Sequence, residues 1–85
     1  MPEVTMYSTG SCPYCQAADR LLQLKGARIQ RIRVDLEPQR RAEMMSRTGR
    51  RTVPQIYIGD LHVGGYEELA ELDRQGRLES LLRTE

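Results

Sequence analysis

Two extended segments separated by a single amphipathic helix constrain this chain most. Glu3 to Ser8 carries Val4, Met6 and Tyr7 and runs into the turn formers Ser8, Thr9, Gly10 and Ser11. From Tyr14 to Lys25, Ala18, Leu21, Leu22 and the stem of Lys25 recur at helical spacing, and Gly26 stands where a helix-terminating glycine belongs. Ile32, Val34 and Leu36 then alternate with Arg31, Arg33 and Asp35 in the pattern of a half-buried strand. A helix of that length between two strands makes them parallel neighbours, and such crossovers are almost always right-handed. The first half of the chain therefore reads as βαβ.

The second half continues the α/β pattern. A second helix is expected from Pro38 to Gly49, burying Ala42 and Met45, with Met44 a further core candidate. Gln55 to Ile58 and Leu61 to Val63 form two short strands around the tight turn Gly59-Asp60. Gly64-Gly65 breaks the pattern, Tyr66, Leu69 and Leu72 then repeat helically up to Gly76, and Leu78, Leu81 and Leu82 form a last short helix. The order is βαβαββα with an added C-terminal helix, read as one domain over residues 1–85. A chain of 85 residues supports one core but no enclosed substrate-sized cavity, so a ligand has to bind in a surface groove. Thirteen Lys and Arg against twelve Asp and Glu leave a net charge of +1, which supplies no field favouring nucleic acid or an anionic membrane. No apolar run approaches the roughly 20 residues of a membrane span. The chain reads as soluble, cytoplasmic and monomeric.

The chemistry is concentrated where the first strand turns into the first helix. Both cysteines of the chain lie in Cys12-Pro13-Tyr14-Cys15. Such a pair closes and reopens a small disulfide ring with little backbone movement. Cys12 stands at the helix start, where unpaired N–H groups and the dipole favour a thiolate, and Pro13 suits the first helical position. Cys12 is therefore expected to be the exposed, low-pKa attacker and Cys15 the more buried resolving thiol. A structural zinc site needs four ligands, and the one further strong candidate, His62, reads as a surface strand residue, so no metal is expected. A disulfide across so short a loop adds little stability. Redox use is the remaining reading. Tyr14 and Tyr66 are candidate groove residues, Tyr7 packs beneath the site, and the arginines read as a solvated basic face.

Three segments together resemble the glutaredoxin family. Cys12-Pro13-Tyr14-Cys15 matches its dithiol active site, Thr52-Val53-Pro54 its TVP segment, and Val63-Gly64-Gly65-Tyr66-Glu67-Glu68-Leu69 its Gly-Gly segment followed by two acidic residues. Leu72-Asp73-Arg74-Gln75-Gly76-Arg77-Leu78 continues the likeness to the small bacterial members, so the resemblance covers nearly the whole chain. It implies a thioredoxin-like α/β fold with a central four-stranded mixed sheet flanked by helices. It also implies a cis Pro54, which would turn the Val53 backbone toward the thiols to pair with a peptide as an added strand would. In this family that peptide is glutathione. The N–H groups of Tyr66 and Glu67, following Gly65 at the positive end of a helix, match its carboxylate site, and Glu67 and Glu68 match the acids that meet its amino group. The same two acids also complement the helix dipole whatever their partner. Two departures stand out: the family more often has Asp at the acidic positions, and Thr9 stands where many members carry a lysine. Arg51, beside Thr52, is the candidate replacement cation, with Arg41 the second choice.

The activity so implied is glutathione-dependent thiol–disulfide exchange, with Cys12 as nucleophile and glutathione as reductant and co-substrate. Its partners would be glutathionylated or disulfide-containing proteins, ribonucleotide reductase being one acceptor used in the family. Two other readings stay open. Cys12 and glutathione from each of two chains could hold a [2Fe–2S] cluster, against which Pro13 speaks. Alternatively the chain is a glutathione-independent redoxin reduced by thioredoxin reductase, which the missing lysine at Thr9 leaves in play.

Overall fold

The computed structural model describes residues 2–83. In chain order the elements are β1 (Val4–Ser8), α1 (Pro13–Leu24), β2 (Ile29–Arg33), α2 (Pro38–Thr48), β3 (Gln55–Ile58), β4 (Leu61–Gly64), α3 (Tyr66–Arg74) and α4 (Leu78–Arg83). The sheet runs β2-β1-β3-β4. β1 and β2 are parallel, with Val4 opposite Ile29, whereas β1 pairs antiparallel with β3, Val4 facing Ile58. β3 and β4 form the expected hairpin, with a register shift between Ile56 and Tyr57. This is the thioredoxin-like mixed sheet, with helices on both faces.

The alternation of side chains along β1 and β3 builds a core on each face. Val4, Met6, Ile56 and Ile58 point to one side, where Ala18 and Leu22 of α1, Leu69 of α3 and Leu78 and Leu82 of α4 close over them. Tyr7 and Tyr57 point to the other, where Ile32, Val34 and Met44 of α2 complete a smaller cluster. All four residues of β3 are buried, so this strand takes its two faces from both cores. Each aliphatic side chain removed from water in this way contributes about 1.5–3 kcal/mol.

Two expectations are corrected. The second strand begins and ends earlier than its alternation suggests: it covers Ile29–Arg33, and Leu36 is 69% exposed. The Val34 N–H still reaches the Ser8 carbonyl at 2.9 Å, but the N–H groups of Leu36 and Glu37 then turn back onto the Arg33 carbonyl, which puts Leu36 on a turn. α2 buries Met44 rather than Ala42 and Met45, which are exposed. The helix meets the sheet through a narrow stripe in which Met44 is the one buried residue, flanked by Glu43 and Arg47.

Candidate active site

The sulfur of Cys12 caps α1. Cys12 is extended, with φ −122° and ψ 103°, and Pro13 follows at the first helical turn. The Cys15 backbone N–H donates to Cys12 Sγ at 3.1 Å, so the sulfur takes the place of a capping oxygen. Negative charge on sulfur is favoured at this end of a helix dipole. On its other side Cys12 Sγ lies 3.8 Å from the Val53 carbonyl oxygen, toward which the thiol form donates. This close cover corrects the expectation of an exposed attacker: Cys12 keeps 9% of its surface and Cys15 3%.

What separates the two thiols is environment rather than exposure. Burial, reinforced by the neighbouring Cys12 sulfur, pushes the Cys15 thiol up from 9.0 to about 12. Cys15 therefore keeps its proton at neutral pH, while its own backbone N–H supports the sulfur of Cys12. Both cysteines are free.

Beside Cys12 runs a groove of about 290 Å³, lined by Tyr14, Arg50, Thr52, Val53, Pro54, Gln55, Gly65, Tyr66, Glu67 and Glu68. One wall is the loop entering β3, and its Val53–Pro54 bond is cis. The facing wall is the first turn of α3. Tyr14, 63% exposed, lies with its ring 6.3 Å from that of Tyr66 and bounds the groove on the thiol side. Gly64 and Gly65 set the entry to α3. Gly64 has φ +112°, and a Cβ there would stand 2.4 Å from Glu68 Oε1. That oxygen accepts the Gly65 N–H at 2.6 Å, which, with Arg50, holds the Glu68 carboxyl below the usual carboxylate range. Arg50 Nη1 reaches the same oxygen at 3.4 Å, so an ion pair joins the loop before β3 to α3 across the groove.

Of the residues singled out from sequence, Tyr14, Thr52, Val53, Pro54, Gly65, Tyr66, Glu67 and Glu68 come together in this groove, and Arg51 does not. Instead it is Arg50 that faces the groove, where it pairs with Glu68. Arg51 is exposed, and its carbonyl accepts a bond from Arg41 at 3.4 Å. Gln55 also enters the lining unannounced. The available signal was a polar residue inside a strand too apolar to have a solvent face. His62 is half-buried rather than a plain surface residue, stacked on Tyr57 with ring centroids 4.9 Å apart. Tyr7 is fully buried on the α2 face of the sheet, its hydroxyl donating to Glu43 at 2.5 Å and accepting from Arg47 at 2.9 Å.

Comparison with known proteins agrees with this geometry. Residues 4–63 match the family model described as Glutaredoxin. The chain is 50% identical over 82 residues to a glutaredoxin of Pseudomonas aeruginosa, which covers 96% of this chain and 98% of the relative. The solution structure of glutaredoxin from Brucella melitensis superposes with a TM-score of 0.87 at 48% identity, over 99% of this chain and 91% of that one. The crystal structure of a buckwheat glutaredoxin–glutathione complex superposes with a TM-score of 0.87 at 34% identity, over 95% and 76%. With two thiols in different environments at the start of α1, a thioredoxin-like sheet beneath them and relatives matched along nearly its full length, the chain belongs to the glutaredoxin family of thiol–disulfide oxidoreductases.

Proposed function

We propose that this protein uses glutathione to reduce mixed disulfides and protein disulfides. The observation that carries the reading is the placement of Cys12 Sγ 3.8 Å from the Val53 carbonyl, at the side of a groove whose far wall is the start of α3. A glutathione held there would pair its backbone with Val53 as an added strand does and set its γ-glutamyl carboxylate against the N–H groups of Tyr66 and Glu67. Its sulfur would then meet Cys12. That the buckwheat relative was solved as a complex with glutathione supports glutathione as the ligand. Arg50 is the cation at hand for the ligand's second carboxylate, in place of Arg51.

The Cys12 thiolate attacks the glutathione sulfur of a mixed disulfide. A bond forms between Cys12 and glutathione, and the partner leaves as its thiolate. A second glutathione thiolate attacks the glutathione sulfur on Cys12, releasing glutathione disulfide and restoring Cys12. A protein disulfide takes the other route: the Cys12 thiolate attacks one of its sulfurs and the other leaves as a thiolate. Cys15 then gives up its proton and attacks the Cys12 sulfur, closing the Cys12–Cys15 bond as the protein's remaining sulfur leaves. Two glutathiones reopen that bond with release of glutathione disulfide. The reduction potential for this class is about −200 to −230 mV, so direction follows the glutathione poise of the compartment. The same reading places the protein in the cytoplasm as a monomer, with protein disulfides such as that of ribonucleotide reductase among its acceptors.

The two routes differ in their need for Cys15, and that difference tests them. Cys15→Ser is expected to keep deglutathionylation of a glutathionylated peptide and to lose reduction of a protein disulfide, whereas Cys12→Ser loses both. Equal loss of both activities in Cys15→Ser would refute the division of labour.

A further inference from the structure

Gln55 is fully buried yet carries a carboxamide, and every polar atom of that group is engaged. Its Nε2 donates to the Thr52 carbonyl at 2.9 Å and to the Thr52 hydroxyl at 3.2 Å. A carbonyl only accepts, so the amide nitrogen has to face Thr52, and the amide oxygen then faces His62 Nε2 at 2.8 Å. That oxygen needs a donor, which puts the proton of the neutral His62 ring on Nε2. The ring itself is held by stacking on Tyr57, its register partner across the hairpin, which also carries the Arg47 guanidinium 4.0 Å from its centroid. The contacts form one directed chain from β4 through β3 into the loop that walls the groove. A buried carboxamide bonded at both its nitrogen and its oxygen rigidifies what it ends on, and this one ends one residue before Val53.

We infer that His62 and Gln55 are positioning residues, which hold the Thr52-Val53 main chain in register to receive an extended peptide beside Cys12. His62 acts through Gln55 and Gln55 through Thr52. The inference deepens the function proposed above and rests on it for the identity of the peptide, glutathione.

The chain has a single histidine, so the nitrogen NMR spectrum of its ring is unambiguous. At mildly alkaline pH a protonated Nε2 and a bare Nδ1 are expected, and the reverse tautomer would overturn the relay whatever the reductant. The kinetic arm compares His62→Phe, which keeps a ring against Tyr57 without the donor, with His62→Gln, whose amide nitrogen can stand in for Nε2. With glutathione as reductant, His62→Phe is expected to raise KM for glutathione roughly three- to tenfold at unchanged kcat, the worth of one buried hydrogen bond. His62→Gln is expected to return KM close to that of the parent. An unchanged KM in His62→Phe, or a rise that His62→Gln does not reverse, would contradict the inference. If the parent protein itself fails to turn over with glutathione, it is the proposed function that falls. The same three proteins are then scored in the same way on KM for a disulfide substrate with thioredoxin reductase as electron source.

Discussion

A thiol that keeps its proton is a poor nucleophile, and at Cys15 burial favours the protonated form. The same burial makes a stability prediction with a definite sign. The folded protein holds the Cys15 proton up to about pH 12, whereas an unburied thiol releases it near 9.0. The stability this contributes is complete below about 9 and is lost as pH climbs toward 12. Reduced parent protein is therefore expected to lose denaturation midpoint across that window faster than Cys15→Ser, measured by urea unfolding at a series of pH values. Tyr7, also raised mainly by burial, titrates in both proteins and drops out of the difference. At the groove, Arg50→Ala is expected to raise KM for glutathione roughly two- to fivefold, in line with the modest worth of an exposed ion contact. Arg51→Ala should leave KM where it was. The reverse ranking, read from steady-state kinetics, would return the cation to Arg51.

Within single elements the entry to α3 is the most constrained. Gly64 combines a positive φ with a Glu68 carboxylate packed where a side chain would start. Gly64→Ala is expected to cost about 1–3 kcal/mol through backbone strain and displacement of that carboxylate. The same change should weaken glutathione binding, because the first turn of α3 moves with it. A drop in unfolding midpoint without a rise in KM would separate the turn from the site. The elements were legible where one physical rule governs them. A proline at its first position and a glycine just after its end mark α2 plainly, and Gly59-Asp60 marks the β3–β4 hairpin. Faces were harder to read. α2 is rich in arginine, so its inward stripe narrows to Met44, and Ala42 and Met45 mimic a buried face by spacing alone. The alternation through Leu36 likewise continued past the end of its strand, because polarity patterns do not register where a turn begins.

The whole molecule brings together three segments distant in sequence, and this is why the site could be read in part. Cys12 to Cys15, Thr52 to Pro54 and Gly64 to Glu68 each announce themselves by local chemistry: a thiol pair, a proline at a strand start, two glycines before acids. The thioredoxin-like sheet places β1 beside β3 and β3 beside β4, so the C-terminal ends of β1 and β4 and the start of β3 carry all three segments to one end of the sheet. Contacts that depend on side-chain direction across elements left no such mark. The bond from Gln55 to His62 and the ion pair from Arg50 to Glu68 arise from tertiary placement, whereas the approach of the Val53 main chain to Cys12 was already implied by the family resemblance. The proposed use of glutathione depends on that placement as a whole. The direct measurement is a coupled assay on a glutathionylated peptide, comparing glutathione plus glutathione reductase with thioredoxin reductase, each driven by NADPH. Turnover that saturates with glutathione, and is absent with thioredoxin reductase alone, is expected. Turnover with thioredoxin reductase only would contradict glutathione dependence and leave the groove without its proposed ligand.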